Sequence, residues 1–301
     1  MTDGSTLYQP DRGARRLMGP LFGAACFVAT LTGVVALTIL LGAVVGAVLK
    51  GAPGRSVPAT LRFLATHMQS SNPKIAGFRA GVAGSLWLLG LVSAFAIPIG
   101  VGAAVFLEEF APLGRVRWFI QLNIANLAGV PSIVYGLLGL AVFARGMALG
   151  STLWVGGLTL ALLILPVIVI ATQEALRTVP GSLRQAAMAL GATRWQVVRD
   201  QVLPVAMPGI LTGVILALSR AIGETAPLLM VGAAASTFRI PRGPSSRYTA
   251  LPVQIYNYAK EPAVAFQAVA AGGILLLLAL LLTMNATAIV IRNRYARSSR
   301  A

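Results

Sequence analysis

Five stretches of this chain carry no Asp, Glu, Lys or Arg, and each is long enough to cross a lipid bilayer. They are residues 17–49, 80–107, 118–144, 146–173 and 262–291. A helix needs roughly 20 apolar residues to span the hydrocarbon layer. Within that layer every backbone N–H and C=O must find a partner inside the protein, so a long apolar run crosses as a helix. A sixth stretch, 205–233, is equally apolar except for Arg220 and Glu224. The expectation is therefore an all-α membrane protein with six transmembrane helices. The composition agrees, with 57% hydrophobic and 11% charged residues, where a soluble domain carries about 25% charged residues. The first span is too long for the core of a signal peptide and lacks a convincing small-residue cleavage site before a soluble domain.

The charges that remain are mostly basic, giving a formal net charge of +16. They flank apolar spans and form no soluble basic face, so nucleic acid is not an expected partner and the lipid bilayer is. Six spans place both termini on one side. With the termini in the cytoplasm, inside segments hold 13 Lys and Arg and outside segments hold 10, a weak bias toward that orientation. The outside segments hold a single acid, Glu261, so the external face is strongly basic. That face either attracts an anion or an acidic partner or is merely solvated. Cys26 lies alone in the first span, where it serves as a small packing residue. His67 is the sole histidine and has no cysteine or histidine near it to share a metal, so no metal site is expected.

The first external loop, 50–79, contains Pro53, Gly54, Pro58 and Pro73, with a short helix expected around Ala59–Gln69. Pro98 and Pro166 are expected to kink spans two and four. Span three, expected over 118–144, carries Asn123, Asn126 and Gly129-Val130-Pro131-Ser132, which either line a pathway or bond neighbouring helices. The last external loop, 236–263, contains an amphipathic stretch, Leu251–Tyr258, with Tyr256 and Tyr258 as interfacial anchors.

The longest inside connection is 174–204, and it reads as two short helices. Leu183–Leu190 is rich in helix formers, Ser182 is a candidate N-cap and Gly191 a good stop. A second short helix is expected over roughly Arg194–Gln201, leading into Leu203-Pro204. In span five, Arg220 and Glu224 are spaced i, i+4 on one helix face and can pair. Each charge costs about 2.5–3.5 kcal/mol to place in a membrane and so marks a pathway or a structural pair. Arg220 offers a planar fork suited to an oxyanion. Glu224 either balances that charge or accepts a hydrogen bond from a protonated anion. Thr225 and Ser219 are weaker candidates, because hydroxyls in spans often bond their own backbone.

Gln185-Ala186-Ala187, three residues, Gly191, nine residues, then Gln201-Val202-Leu203-Pro204 resembles the EAA motif of permeases in ABC importers. The family pattern has Glu where this chain has Gln185 and Ile where it has Gln201; the spacings, the glycine and Leu-Pro agree. The string Arg220-Ala221-Ile222-Gly223-Glu224-Thr225-Ala226-Pro227 is similar to that of PstA-type permeases of phosphate-specific ABC importers. The resemblance implies a type I ABC importer permease fold, with residues 1–16 as a cytoplasmic N-terminal segment and 17–301 as the permease domain. It further implies a coupling loop over about 174–204 and a short cytoplasmic tail over about 292–301. Arg184, Gln185, Ala186, Ala187, Gly191, Leu203 and Pro204 are then the residues that couple to an ATPase; Arg220, Glu224 and Thr225 are the candidates for the substrate pathway, with a structural Arg220–Glu224 pair as the alternative. The implied partners are a second, PstC-type permease, a PstB-type ATPase dimer, a PstS-type external phosphate-binding protein and inorganic phosphate, at the bacterial inner membrane.

No loop of the Gly-x4-Gly-Lys-Ser/Thr kind occurs, so ATP and Mg are expected on the partner and the chain itself is not an enzyme. The alternatives are a permease for another oxyanion, molybdate or sulfate, or a secondary carrier. The carrier would need coupling acids in its spans, where only Glu224 is present.

Overall fold

A computed structural model describes residues 12–51, 54, 56–233 and 239–298. Of the expected N-terminal segment, residues 1–11 lie outside the described residues, and the backbone is already helical from Arg12. Among the described residues every regular element is helical: α1 (Arg12–Gly51), α2 (Val57–Thr66), α3 (Arg79–Val105), α4 (Arg115–Ala128), α5 (Ser132–Gly139), α6 (Leu153–Arg177), α7 (Gly181–Ala189), α8 (Arg194–Val197), α9 (Leu203–Gly223), α10 (Ala226–Met230), α11 (Leu251–Lys260) and α12 (Val264–Ser298). Among the described residues five helical stretches are long and apolar enough to cross a membrane, and the bent pair α4–α5 makes a sixth when it is counted as one span.

α6 is the axis of the molecule. Most of its length is buried, whereas residues 21–43 of α1, the whole of α4 and residues 276–294 of α12 bury no side chain fully. Lipid contributes no hydrophobic drive between helices, so close packing of small residues has to hold them together. α9 supplies Gly209 and Gly213, one turn apart, and these meet Ala175 and Ala171 of α6. A side chain at either glycine would collide with the facing alanine and push the two helices apart. Polar ties join α9 to α12: the Ser219 hydroxyl lies 2.6 Å from Asn285 Oδ1, and Arg292 donates to the Thr212 hydroxyl at 3.2 Å.

Span three is not one straight helix. α4 and the continuous helix Ser132–Gly146 meet at 101°. Pro131 has no N–H to give to the carbonyl of Leu127. The freed carbonyl is satisfied instead by the Val130 N–H at 3.1 Å and the Tyr135 hydroxyl at 2.8 Å. Asn123 bonds its own backbone at Phe119 O, 2.8 Å away. Tyr135→Phe should therefore weaken the elbow by about 1 kcal/mol, the net worth of one hydrogen bond. Faster proteolysis between residues 127 and 135 in the variant would register it.

On the expected outer side, α2, α11 and the start of α12 form a cap over α3. The short helix of the first loop is Val57–Thr66, shifted toward the N terminus from its expected position because Pro58 starts it. Gln254 is fully buried, accepting from the Gly81 N–H at 3.1 Å and donating to the Gly77 carbonyl at 2.9 Å. Ser85 Oγ accepts the free Leu251 N–H that begins α11, at 2.9 Å.

Tyr258 is not an interfacial anchor. It is buried, stacks on Phe266 and meets the edge of Phe78. Burial pushes its hydroxyl, and that of Tyr248, up from the ordinary tyrosine value, so both remain protonated. Tyr256 stays exposed beneath Lys260.

The carbonyl of Thr249 presses on Gly84 so closely that a Cβ there has no room. Gly84→Val should displace the loop before α11 and destabilise the cap by roughly 1–3 kcal/mol, the usual cost of overpacking. A lower midpoint in detergent thermal unfolding checks this.

Candidate functional site: a coupling face and a broken span

The inside connection resolves into one free-standing short helix and one long one. α7 begins after Pro180, which occupies the N-cap position expected of Ser182. Pro180 presets the entry angle, and Ser182 falls in the first turn. Gly191 has φ +85°, the left-handed conformation that ends a helix sharply, and nothing lies within 4 Å of where its Cβ would be.

The second short helix does not stand alone. A capping box in which Thr193 and Gln196 bond each other's backbone starts α8. α8 then passes through a π-helical turn, Val198–Val202, directly into α9. The wider turn accommodates Pro204, which has no N–H to return to the carbonyl of Asp200. The result is a single helical run of 30 residues from Arg194 to Gly223, about 45 Å at 1.5 Å per residue.

The coupling residues divide by orientation. Gln185 and Ala186 are exposed, while Ala187 is half-buried and packs with Leu183, Ala192 and Leu203 against the main core. Met188 and Leu190 are exposed and apolar. Pro204 is exposed at the start of α9. Arg184 points inward: its guanidinium contacts the Glu109 carboxylate at 2.7 Å and donates to the carbonyls of Val179 at 2.8 Å and Leu176 at 3.0 Å. Its contribution is to hold α7 against the bundle. Glu108 and its neighbour Glu109 carry little sequence signal, because Arg177 and Arg184, which pair with them, lie 69 and 75 residues further on, and the nearer Arg117 is nine residues on in another helix.

Arg220 and Glu224 pair, but not along one helix. α9 ends at Gly223, and Glu224 is extended, with φ −72° and ψ 124°. Pro227 cannot supply the N–H that the Gly223 carbonyl would need, so span five breaks there and restarts as α10. The pair is a single contact from Arg220 Nε to Glu224 Oε1 at 3.3 Å. The Arg220 side chain is 52% exposed and that of Glu224 18%. Among the described residues the two terminal guanidinium nitrogens of Arg220 have no hydrogen-bond acceptor. Thr225 is half-buried, and its carbonyl accepts the Leu229 N–H at 3.0 Å. Ser219 is occupied by Ile215 O and Asn285 and takes no part in this cluster. The two candidate regions thus sit at opposite ends of one continuous helical run.

Comparison with known proteins adds the relatives. The family model for the binding-protein-dependent transport system inner membrane component matches residues 96–295. The probable ABC transporter permease protein YqgI of Bacillus subtilis is 42% identical over 153 residues, 51% of this chain and 52% of that one. The phosphate transport system permease protein PstA of Haemophilus influenzae is 33% identical over 231 residues, 77% of this chain and 81% of its own. Among solved structures, a chain of the bacterial alginate ABC transporter with its alginate-bound periplasmic protein superposes with a TM-score of 0.64 at 17% identity, covering 94% of this chain and 98% of that one. That likeness is in fold, and it is the fold of an ABC importer permease. The match over residues 96–295 includes the α7 coupling face and the break at Gly223, and the chain belongs to the family of binding-protein-dependent transport system inner membrane components, in its PstA-type branch.

Proposed function

We propose that this chain is a membrane permease subunit of an ATP-driven importer of inorganic phosphate, with Arg220 as its substrate-facing charge and α7 as its contact with a separate ATPase. The observation that carries the reading is the half-exposed Arg220 fork, held by Glu224 through one nitrogen only, at the far end of the helical run that begins beside α7. A guanidinium with unoccupied terminal donors suits the oxygens of a phosphate anion. The naming of PstA relatives as phosphate transport permeases supports phosphate over molybdate or sulfate.

In this reading ATP and Mg sit on the ATPase dimer, and no cofactor or metal is held by this chain. A second permease completes the pathway, and an external phosphate-binding protein delivers the substrate to the basic outer face. The termini lie in the cytoplasm, and the membrane is the bacterial inner membrane. The exposed apolar residues Met188 and Leu190, with Gln185 and Ala186, form the surface that docks on the ATPase. Closure of the ATPase displaces α7. The run from α8 to α9 carries that displacement to the break at Gly223, so the orientation of the Arg220 fork switches between the two sides as rigid bodies rotate.

Phosphate uptake into proteoliposomes tests this. The expected result is ATP-dependent uptake with ATPase, second permease and binding protein present, and none with this chain alone. Uptake by the chain alone without ATP would refute the proposal, and faster uptake of molybdate or sulfate than of phosphate would change the cargo. A cysteine at Met188 should crosslink to the ATPase; crosslinks only to the external binding protein would invert the topology.

A further inference from the structure

Glu108 and Glu109 form a π-helical turn that prolongs α3 to Phe110. Both carboxylates are nearly buried, at 14% and 10% exposure. Glu108 takes Arg117 of α4 at 3.0 Å and Arg177 at the end of α6 at 3.1 Å. Glu109 takes Arg184 of α7, with Nη2 at 2.7 Å and Nε at 3.2 Å. Two consecutive residues therefore tie the end of α3 to three other elements. Forked arginine–carboxylate contacts hold their geometry, and separating them leaves the two nearly buried carboxylates unpaired in a poorly hydrated place. Surface pairs such as Arg199 with Asp200 lack that property.

We propose that the Glu108–Glu109 turn is a mechanical joint that makes α7, the end of α6 and α4 move together with α3, so that displacement of α7 also drives the bent span three. This rests on the importer reading above and adds a second route beside α9. Through this joint the α4–α5 elbow follows the ATPase. Glu108 and Glu109 are positioning residues: they touch neither substrate nor nucleotide.

The test is the ratio of phosphate taken up to ATP hydrolysed in the complete reconstituted complex. Glu109→Gln keeps size and one acceptor but removes the charge. It should leave ATP hydrolysis in place and lower the ratio about tenfold, equivalent to about 1.4 kcal/mol of coupling. Glu108→Gln should act in the same direction, because it frees Arg117 and leaves Arg177 paired only with Glu174 of its own helix, at 2.8 Å. Arg184→Lys keeps the charge but not the fork and should lower the ratio by a smaller factor. Arg115, an exposed neighbour with no ion pair among the described residues, serves as the control, and Arg115→Gln should leave the ratio unchanged.

A purely structural role predicts fewer assembled complexes with a normal ratio in those that form. A wild-type ratio in assembled Glu109→Gln therefore overturns the joint. If that variant does not assemble, Arg184→Lys decides in the same way, a reduced ratio supporting the joint and a wild-type ratio overturning it. A wild-type complex that takes up no phosphate would refute the importer reading, which is a separate failure.

Discussion

Arg220→Gln should reduce phosphate uptake at least a hundredfold in a complex that assembles with normal yield. A hydrogen bond between a guanidinium and an anion contributes about 1.5–3 kcal/mol, and a forked contact makes two of them. Glutamine retains a polar group of similar length but loses the charge and the fork. Arg220→Lys should recover only part of the activity, since an ammonium offers a point charge in place of paired donors. The geometry makes a normal yield the expected outcome. The ion pair with Glu224 is local, joining the end of α9 to the residue that follows it, and ties no second element of this chain to α9. Glu224→Gln should be milder if the carboxylate only balances Arg220, and severe if it accepts a hydrogen bond from a protonated phosphate oxygen. A pair that served assembly would behave differently: each single variant would lower complex yield, and the Arg220→Gln/Glu224→Gln double would restore it. Measuring yield and uptake on the two singles and the double separates these outcomes. Normal uptake in a well-assembled Arg220→Gln complex would remove Arg220 from the pathway.

The same residues show how far a sequence reading reaches. The charge-free stretches located α1, α3, α6 and α12 because a membrane admits few alternatives to a helix. Breaks were harder to see. Pro98, Pro166 and Pro208 all lie inside continuous helices, so a proline alone does not end a span. At Pro131 and Pro227 the helix does break, and a nearby glycine is not the signal, because Gly100 and Gly209 stand equally close to Pro98 and Pro208 inside unbroken helices.

The spacing of Arg220 and Glu224 predicted their pairing correctly and the conformation of Glu224 itself wrongly, since an extended residue just past a helix end reaches back as well as a helical one does. Tyr258 was misplaced for another reason. An amphipathic pattern specifies that one face is covered but not by what, and here the cover is Phe78 and Phe266 rather than lipid. The carboxylates of Glu108 and Glu109 carried little local signal, because Arg177 and Arg184 reach them only through the packing of α6 and α7 against the end of α3, and Arg117, nine residues on, stands on the next helix.

Gly191→Val should uncouple ATP hydrolysis from uptake while leaving membrane insertion intact. The reason is conformational and not steric. At φ +85° a β-branched side chain is strained whatever room surrounds it, and room is ample at this position. A left-handed residue with a side chain costs roughly 1–2 kcal/mol, which the short α7 can relieve by unwinding its last turn. That turn brings Met188 and Leu190 to the surface and places Ala187 and Ala192 on the core. Loosening it separates the docking surface from the helical run that starts at Arg194. A loss of 1.4 kcal/mol corresponds to tenfold, so uptake per ATP should fall about tenfold in Gly191→Val and less in Gly191→Ala. Gly191→Asn should remain near the wild type, because asparagine tolerates the left-handed region. This order, valine worst and asparagine best, is not the order of side-chain volume beyond alanine. If the loss instead tracks volume, with asparagine worse than alanine, then the site is crowded by the docked ATPase and the turn's conformation is not what couples the two.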